Sequence, residues 1–132
     1  MSITGMDHFT LLTRDATLTA DFYNLVLGLE IGPRPAFKVP GVWLYCDGAP
    51  ILHVLERDEI PGAGVFDHIA FRGSGLSAFI ANLKARRIAY DLRRFPDGGP
   101  SAGAWQLFLI DPNGARVEID FPKTEPDPRQ SK

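Results

Sequence analysis

The chain contains one short motif twice, Asp7-His8-Phe9-Thr10-Leu11 and Asp67-His68-Ile69-Ala70-Phe71. Each copy opens with an Asp-His pair, continues as a β-type run and leads into a segment whose apolar residues have helical spacing. Two of the three histidines in the sequence occupy the same place in this repeat. The third, His53, lies near the end of the first half, at the point where the second half has Glu118. The repeat therefore predicts two equivalent modules with possible metal ligands at equivalent points.

Length and composition exclude several classes of protein. A chain of 132 residues with 45% hydrophobic and 23% charged residues is expected to form one soluble domain. A net charge of −2 argues against nucleic-acid binding. No apolar run reaches the roughly 20 residues that span a bilayer. Because the single Cys46 cannot form an internal disulfide and the N-terminus lacks a signal-peptide pattern, we expect a cytoplasmic protein.

Both modules show the same order of secondary structure. In residues 6–56 the pattern predicts a strand, a helix over 16–27 and three further strands, of which the one in the proline-rich stretch 30–41 is least clear. Residues 57–64 have the composition of a linker. Residues 65–121 repeat the order, with Ser74 as the candidate N-cap of the helix. Residues 122–132 contain three prolines and no apolar periodicity, and they predict a disordered tail.

Alternation along the strands predicts an apolar face for the helices and an opposite face of unusual composition. That opposite face is expected to carry imidazoles, carboxylates, aromatic rings and an amide, from His8, Thr10, Trp43, Tyr45, His53, His68, Gln106, Phe108, Glu118 and Asp120. A single strand histidine is more often structural than ligating. Together, however, His8, His68 and Glu118 are the two-histidine, one-carboxylate set that suits Fe(II), Mn(II), Ni(II), Co(II) or Zn(II) with positions left for substrate.

The sequence resembles the vicinal oxygen chelate superfamily of glyoxalases, bleomycin resistance proteins and extradiol dioxygenases. The resemblance spans residues 6–121. It rests on both Asp-His motifs, on Phe22-Tyr23 followed by Leu27-Gly28-Leu29, and on Phe108-Leu109-Ile110-Asp111-Pro112-Asn113-Gly114 running into Val117-Glu118-Ile119. It implies an α+β fold of two βαβββ modules whose curved sheets form a cup around one divalent metal ion, with the helices outside.

The resemblance also implies roles for residues and an assembly. The metal ligands would be His8, His68 and Glu118, and His53 would be a fourth ligand or a catalytic acid–base group. Short relatives of this kind imply a homodimer. If each site is shared between the two chains, one chain contributes His8 and His53 and the other contributes His68 and Glu118.

Two classes of function remain open. The first is a metalloenzyme whose small substrate is chelated through two adjacent oxygens. Three imidazoles and one carboxylate leave the metal more cationic than the two-carboxylate site of glyoxalase I, which favours an anionic catecholate or enediolate. We therefore favour an Fe(II) extradiol-type dioxygenase over a glyoxalase-like lyase or isomerase.

The second class is a metal-free protein that binds a flat small molecule, such as an antibiotic, and confers resistance. In either class we expect substrate contacts from Thr10, Trp43, Tyr45, Gln106 and Phe108. The basic residues Arg34, Arg93 and Arg94 could meet an anionic substrate, although solvated surface charge is the commoner role for such residues.

Overall fold

The computed structural model describes residues 6, 8–62, 68–95 and 102–130, so Asp7, Asp67 and the last two residues of the predicted tail lie outside the described residues. The chain divides into two compact units, Met1–Gly62 and Ala63–Lys132, here called module one and module two. The division falls inside the stretch 57–64 that the sequence predicts as a linker. Among the described residues, no helix is long and apolar enough to cross a membrane.

Module one is a four-stranded mixed sheet with one helix. Its elements are β1 (Phe9–Thr13), α1 (Ala16–Leu25), β2 (Glu30–Gly32), β3 (Gly41–Cys46) and β4 (Ala49–Glu56). The strand order is β1-β4-β3-β2, with β1 parallel to β4 and the other neighbours antiparallel. The proline-rich stretch thus holds only a short edge strand, as predicted, because proline cannot donate to a strand ladder.

The ends of α1 follow from its sequence. The Asp15 carboxylate accepts a hydrogen bond from the Leu18 backbone N–H at 2.9 Å, which satisfies one of the free donors of the first turn. The chain leaves the helix through Gly28, whose φ of +77° is a conformation that glycine adopts without strain. The buried side of α1, including Tyr23, lies against β3 and β4, where Leu44 and Leu52 are fully buried.

Module two repeats this architecture. Its elements are β5 (Ile69–Arg72), α2 (Leu76–Ala85), β6 (Asp91–Arg94), β7 (Trp105–Ile110) and β8 (Arg116–Phe121). The strand order is β5-β8-β7-β6, with β5 parallel to β8. The predicted α+β repeat of βαβββ units is confirmed. The strand β6 is shorter than the predicted stretch 88–95, since the Ile88 N–H is used to close the end of α2 on Leu83 O at 2.9 Å.

The start of α2 differs from the prediction. The N-cap is Gly75, at a φ of +75°, and it makes no side-chain cap, so the expected cap at Ser74 is wrong. The Gly75 N–H instead donates to the Glu125 carboxylate at 2.7 Å. The Glu125 backbone oxygen accepts from Trp105 Nε1 at 3.2 Å. Residues 122–130 contain no helix or strand, but these contacts hold the segment that the sequence predicts as disordered against module two.

A tight turn sets the register of β7 and β8. One oxygen of the buried Asp111 carboxylate accepts from the backbone N–H groups of Asn113 and Ala115, both at 2.8 Å, and Gly114 has a φ of +84°. The register that follows places Phe108 opposite Glu118. The turn therefore brings together side chains that are ten residues apart in the sequence.

Candidate functional site

In module one, three aromatic rings form one stack: Trp43 and His53 lie on the neighbouring strands β3 and β4, and His8 directly precedes β1. The His8 and His53 rings lie 3.9 Å apart between centroids at 17°, and the His53 and Trp43 rings lie 4.0 Å apart at 6°. The cause is the strand order, because β4 lies between β1 and β3 and its His53 is paired with Trp43. The predicted face of module one is thus assembled as a continuous wall of rings.

The backbone near His53 indicates which ring nitrogen carries a proton. Its Nε2 lies 3.1 Å from the Pro50 carbonyl oxygen. Because a carbonyl can only accept, this hydrogen bond requires a proton on Nε2. In the neutral ring the lone pair then lies on Nδ1, which is the atom that would accept a proton in acid–base chemistry.

The ring stack borders a cavity of about 510 Å³, which has the size of a small-molecule site. Thr10 lines it, as predicted from its position two residues after His8. The segment between β2 and β3 supplies four further lining residues. The sequence suggested Arg34 as a possible contact for an anion, but it did not indicate Phe37, Lys38 or Val39. This segment has three prolines within eight residues and no periodicity, so alternation could not assign its side chains to a face.

Tyr45 packs against the edge strand β2. Its ring packs where a side chain on Gly32 would stand, and its hydroxyl donates to the Pro33 carbonyl oxygen. Because Gly32 is paired with Trp43, this ring lies on the same face of the sheet as Trp43. Tyr45 supports the edge strand and does not line the cavity.

In module two, Glu118 is held by two partners on its two oxygens. Gln106 Nε2 donates to Oε1 at 2.6 Å, and His68 Nε2 lies 2.9 Å from Oε2. Glu118 is only 5% exposed, whereas 35% of the His68 side chain is exposed. A buried carboxylate is costly unless its oxygens are hydrogen-bonded or paired, and here both have partners.

His68 and Glu118 are in direct contact. The 2.9 Å between His68 Nε2 and Glu118 Oε2 is the ordinary length of a hydrogen-bonded ion pair. An imidazole nitrogen and a carboxylate oxygen are also two of the donor types that bind Zn(II) and similar ions. In the part of the chain that the structure describes, no group of three or more His, Cys, Asp or Glu side chains is arranged to hold a metal ion. Module two thus brings together one pair of the predicted ligands, and the full set stays a prediction.

A second carboxyl group lies beside this pair. Burial of Asp120, its side-chain hydrogen bond to Glu118 and the negative charge of Glu118 raise the pKa of Asp120 to about 6, against a smaller lowering by His68. Asp120 shares the Glu118 face of β8, two residues further on, and is paired with Gln106. The sequence indicated this shared face but not the raised pKa, which depends on burial.

Phe108 stands between cationic side chains. The Arg93 and Arg116 guanidinium carbons lie 4.9 Å and 4.5 Å from the centre of its ring. The His68 ring meets it edge-on at 6.4 Å. Arg93 also forms an ion pair with Asp91. Phe108 is thus placed beside the His68–Glu118 pair, as predicted, in surroundings that would favour an electron-rich ligand.

Comparison with known proteins adds three relatives. The chain is 28% identical over 127 residues to Glyoxylase I 4 of Arabidopsis thaliana, covering 90% of this chain and 71% of that protein. A glyoxalase family protein from Bacillus anthracis shares the fold at a TM-score of 0.75 and 22% identity, over 92% and 97% of the two chains. The fosfomycin resistance protein FosX from Listeria monocytogenes shares it at a TM-score of 0.71 and 18% identity, over 92% and 95%.

No protein-family model matches the chain. At this identity, the two structures show a shared fold and nothing further. Together with the curated relative, they confirm the resemblance that the repeated Asp-His motif and the Asp111 to Gly114 turn predict.

Proposed function

We propose that this chain is a member of the vicinal oxygen chelate superfamily and a divalent-metal-dependent enzyme. Its substrate is a small molecule chelated through two adjacent oxygens. One observation carries the proposal: module two places His68 Nε2 2.9 Å from the buried Glu118 carboxylate, which brings together two donor types that bind divalent metal ions. The third proposed ligand is His8, assigned by its equivalence to His68 in the repeat.

The residues around the proposed ligands have separate tasks. Gln106 binds Glu118 Oε1 and so fixes the carboxylate with Oε2 towards His68. Such hydrogen bonds orient metal ligands and tune their basicity. A divalent ion, when bound, would polarise the substrate oxygens and stabilise the negative charge that develops on them. His53, with its proton on Nε2, would accept a proton from the substrate at Nδ1.

We favour a glyoxalase-type lyase or isomerase as the reaction class. The curated relative is named as a glyoxalase I, and one structural neighbour is named as a lactoylglutathione lyase. The sequence favoured an Fe(II) dioxygenase because of the charge of a three-imidazole site, and the relatives give this reaction no specific support. The activity assay therefore tests dioxygenase activity as the alternative.

Metal binding at this site is tested by calorimetry on chelator-treated protein with Ni(II), Co(II), Zn(II), Mn(II) and anaerobic Fe(II). The change Glu118→Gln keeps the shape and the hydrogen-bonding capacity but removes the charge. Glu30→Gln is the matched control, since Glu30 is exposed on the edge strand β2. We expect one ion per chain and a loss of affinity of at least about tenfold in Glu118→Gln alone. Equal affinity in both variants would refute the site.

The reaction class is tested on the metal-loaded protein. One assay offers the hemithioacetal of methylglyoxal and glutathione, and the other follows oxygen uptake with a panel of catechols. We expect turnover in the first assay and none in the second. Oxygen uptake with a catechol, and no conversion of the hemithioacetal, would replace the lyase with the dioxygenase.

A second candidate is a small-molecule binding protein that confers resistance without metal. The observation in its favour is the continuous ring wall of His8, His53 and Trp43 beside the cavity of module one. Tight binding of an aromatic compound by protein that takes up no metal ion would support this candidate over the enzyme.

A further inference from the structure

The charge of the cavity in module one is one-sided. Every ionisable side chain among the described residues that line it is basic: Arg34 and Lys38 are cations, and His8 and His53 are imidazoles. No carboxylate is among the lining residues within the described ranges. A cavity of this composition attracts anions and disfavours cations.

Arg34 has hydrogen-bonding capacity that the protein does not use. Its Nη2 donates to the Val39 carbonyl oxygen at 2.8 Å, which holds the guanidinium in the segment between β2 and β3. Its Nε is buried and, among the described residues, has no hydrogen-bond partner. Because Arg34 lines the cavity, the positive charge of its guanidinium is placed to attract an anionic group of a ligand.

The remaining walls of the cavity are aromatic. Trp43 and Phe37 both line it, with ring centroids 6.3 Å apart and planes tilted by 46°. Phe37 is 56% exposed, and the Arg34 guanidinium carbon lies 5.0 Å from the centre of its ring. A large exposed aromatic ring beside a cation and a second ring is typical of sites that bind a flat apolar body with a charged group.

We propose that the cavity of module one binds a planar aromatic anion. The ring of the ligand packs against Trp43 and Phe37, and its carboxylate or similar group is held by Arg34 and Lys38. A volume of about 510 Å³ suits a compound of one or two fused rings. This inference rests on the second candidate function and names the ligand class of the same cavity, which His8, His53 and Trp43 border. Binding of this ligand needs neither Glu118 nor a metal ion.

The probe is 2-naphthoate, compared by calorimetry with three compounds that each lack one feature. Naphthalene-2-methanol lacks the charge, naphthalene-2-methylammonium reverses it, and cyclohexanecarboxylate lacks the aromatic ring. Chelator is present throughout, so metal binding does not contribute to the measured affinity. A lack of 2-naphthoate binding would not count against the proposed metal site, and a lack of metal binding would not affect this experiment. We expect 2-naphthoate to bind at least about tenfold more tightly than each of the others, as a charge-assisted hydrogen bond and ring contact together would give.

Substitutions of two exposed residues test the location of the site without disturbing the fold. Lys38→Met should weaken 2-naphthoate binding by about two- to fivefold at low salt and less at high salt. Lys84→Met, at an exposed lysine in the last turn of α2, is the matched control and should have no effect. Phe37→Leu should weaken binding by about three- to tenfold.

Three results would each overturn the proposal. They are equal affinity for 2-naphthoate and its alcohol, equal behaviour of the Lys38 and Lys84 variants, and no binding of 2-naphthoate at millimolar concentration. Selective binding that Phe37→Leu and Lys38→Met both reduce would establish the site.

Discussion

The replacement Gln106→Leu should both destabilise the protein and weaken its metal site. Gln106 Nε2 donates to Glu118 Oε1 at 2.6 Å, and Glu118 is 5% exposed. A hydrogen bond to a charged group contributes about 1.5–3 kcal/mol. Leucine has a similar volume, so no large cavity adds to this cost. We therefore expect the free energy of unfolding of the metal-free protein to fall by about 1.5–3 kcal/mol.

Urea denaturation followed by circular dichroism measures this effect. For a slope of about 2 kcal/mol per molar urea, the midpoint should fall by roughly 1 M. Gln130→Leu is the matched control, because Gln130 is exposed near the end of the chain. Metal affinity, measured by calorimetry, should fall by about 10–100-fold in Gln106→Leu and stay unchanged in Gln130→Leu.

A double-mutant cycle separates this hydrogen bond from general damage to the strand β7. In a Glu118→Leu background the acceptor is gone, so Gln106→Leu should cost less than about 0.5 kcal/mol. The reasoning is refuted if Gln106→Leu costs the same with and without Glu118. It is equally refuted if Gln106→Leu and Gln130→Leu unfold at the same urea concentration.

Three more predictions follow from the structure. The pKa of Asp120 in the folded protein is about 6, above its ordinary value of 3.8. Its stabilising contribution is therefore complete below pH 3.8 and is lost as the pH rises through 6. In urea titrations of metal-free protein, the stability of Asp120→Asn relative to wild type should grow between about pH 4 and 7. Glu125→Ala removes the acceptor of the Gly75 N–H and should lower the unfolding free energy by about 1 kcal/mol, with exposed Glu59→Ala as the unchanged control. Sedimentation should show a dimer, and mixing His8→Ala with Glu118→Ala chains should restore metal binding; exchange of subunits without restored binding would argue against a shared site.

Much of the fold could be predicted because local chemistry and the repeat agree. The Asp15 cap, the Gly28 exit and the Asp111 to Gly114 turn depend on residues within a few positions of one another. The pairing of the His68 strand with the Glu118 strand follows from the order of elements in each module. The alternation along both strands then places the two side chains on one face, where the structure finds them in contact.

The errors come from contacts that cross long stretches of chain. The cap of α2 comes from Glu125, fifty residues after Gly75, and no local pattern could replace Ser74 with it. The same contact, with the bond from Trp105, fixes a segment whose composition predicts disorder.

The cavity of module one is lined partly by strand residues and partly by residues of an irregular segment. Alternation predicts the positions of the first group only, so the sequence reveals only part of the cavity. Trp43 and His53 stand on paired strands, so alternation predicts that they share a face. Arg34, Phe37 and Lys38 lie between β2 and β3, where three prolines remove the periodicity on which such a prediction depends. The paired strands thus supply Trp43 and His53, whereas the irregular segment supplies both cations and the Phe37 ring. Ligand selectivity in this module should therefore follow changes in the segment between β2 and β3 more closely than changes in the strands.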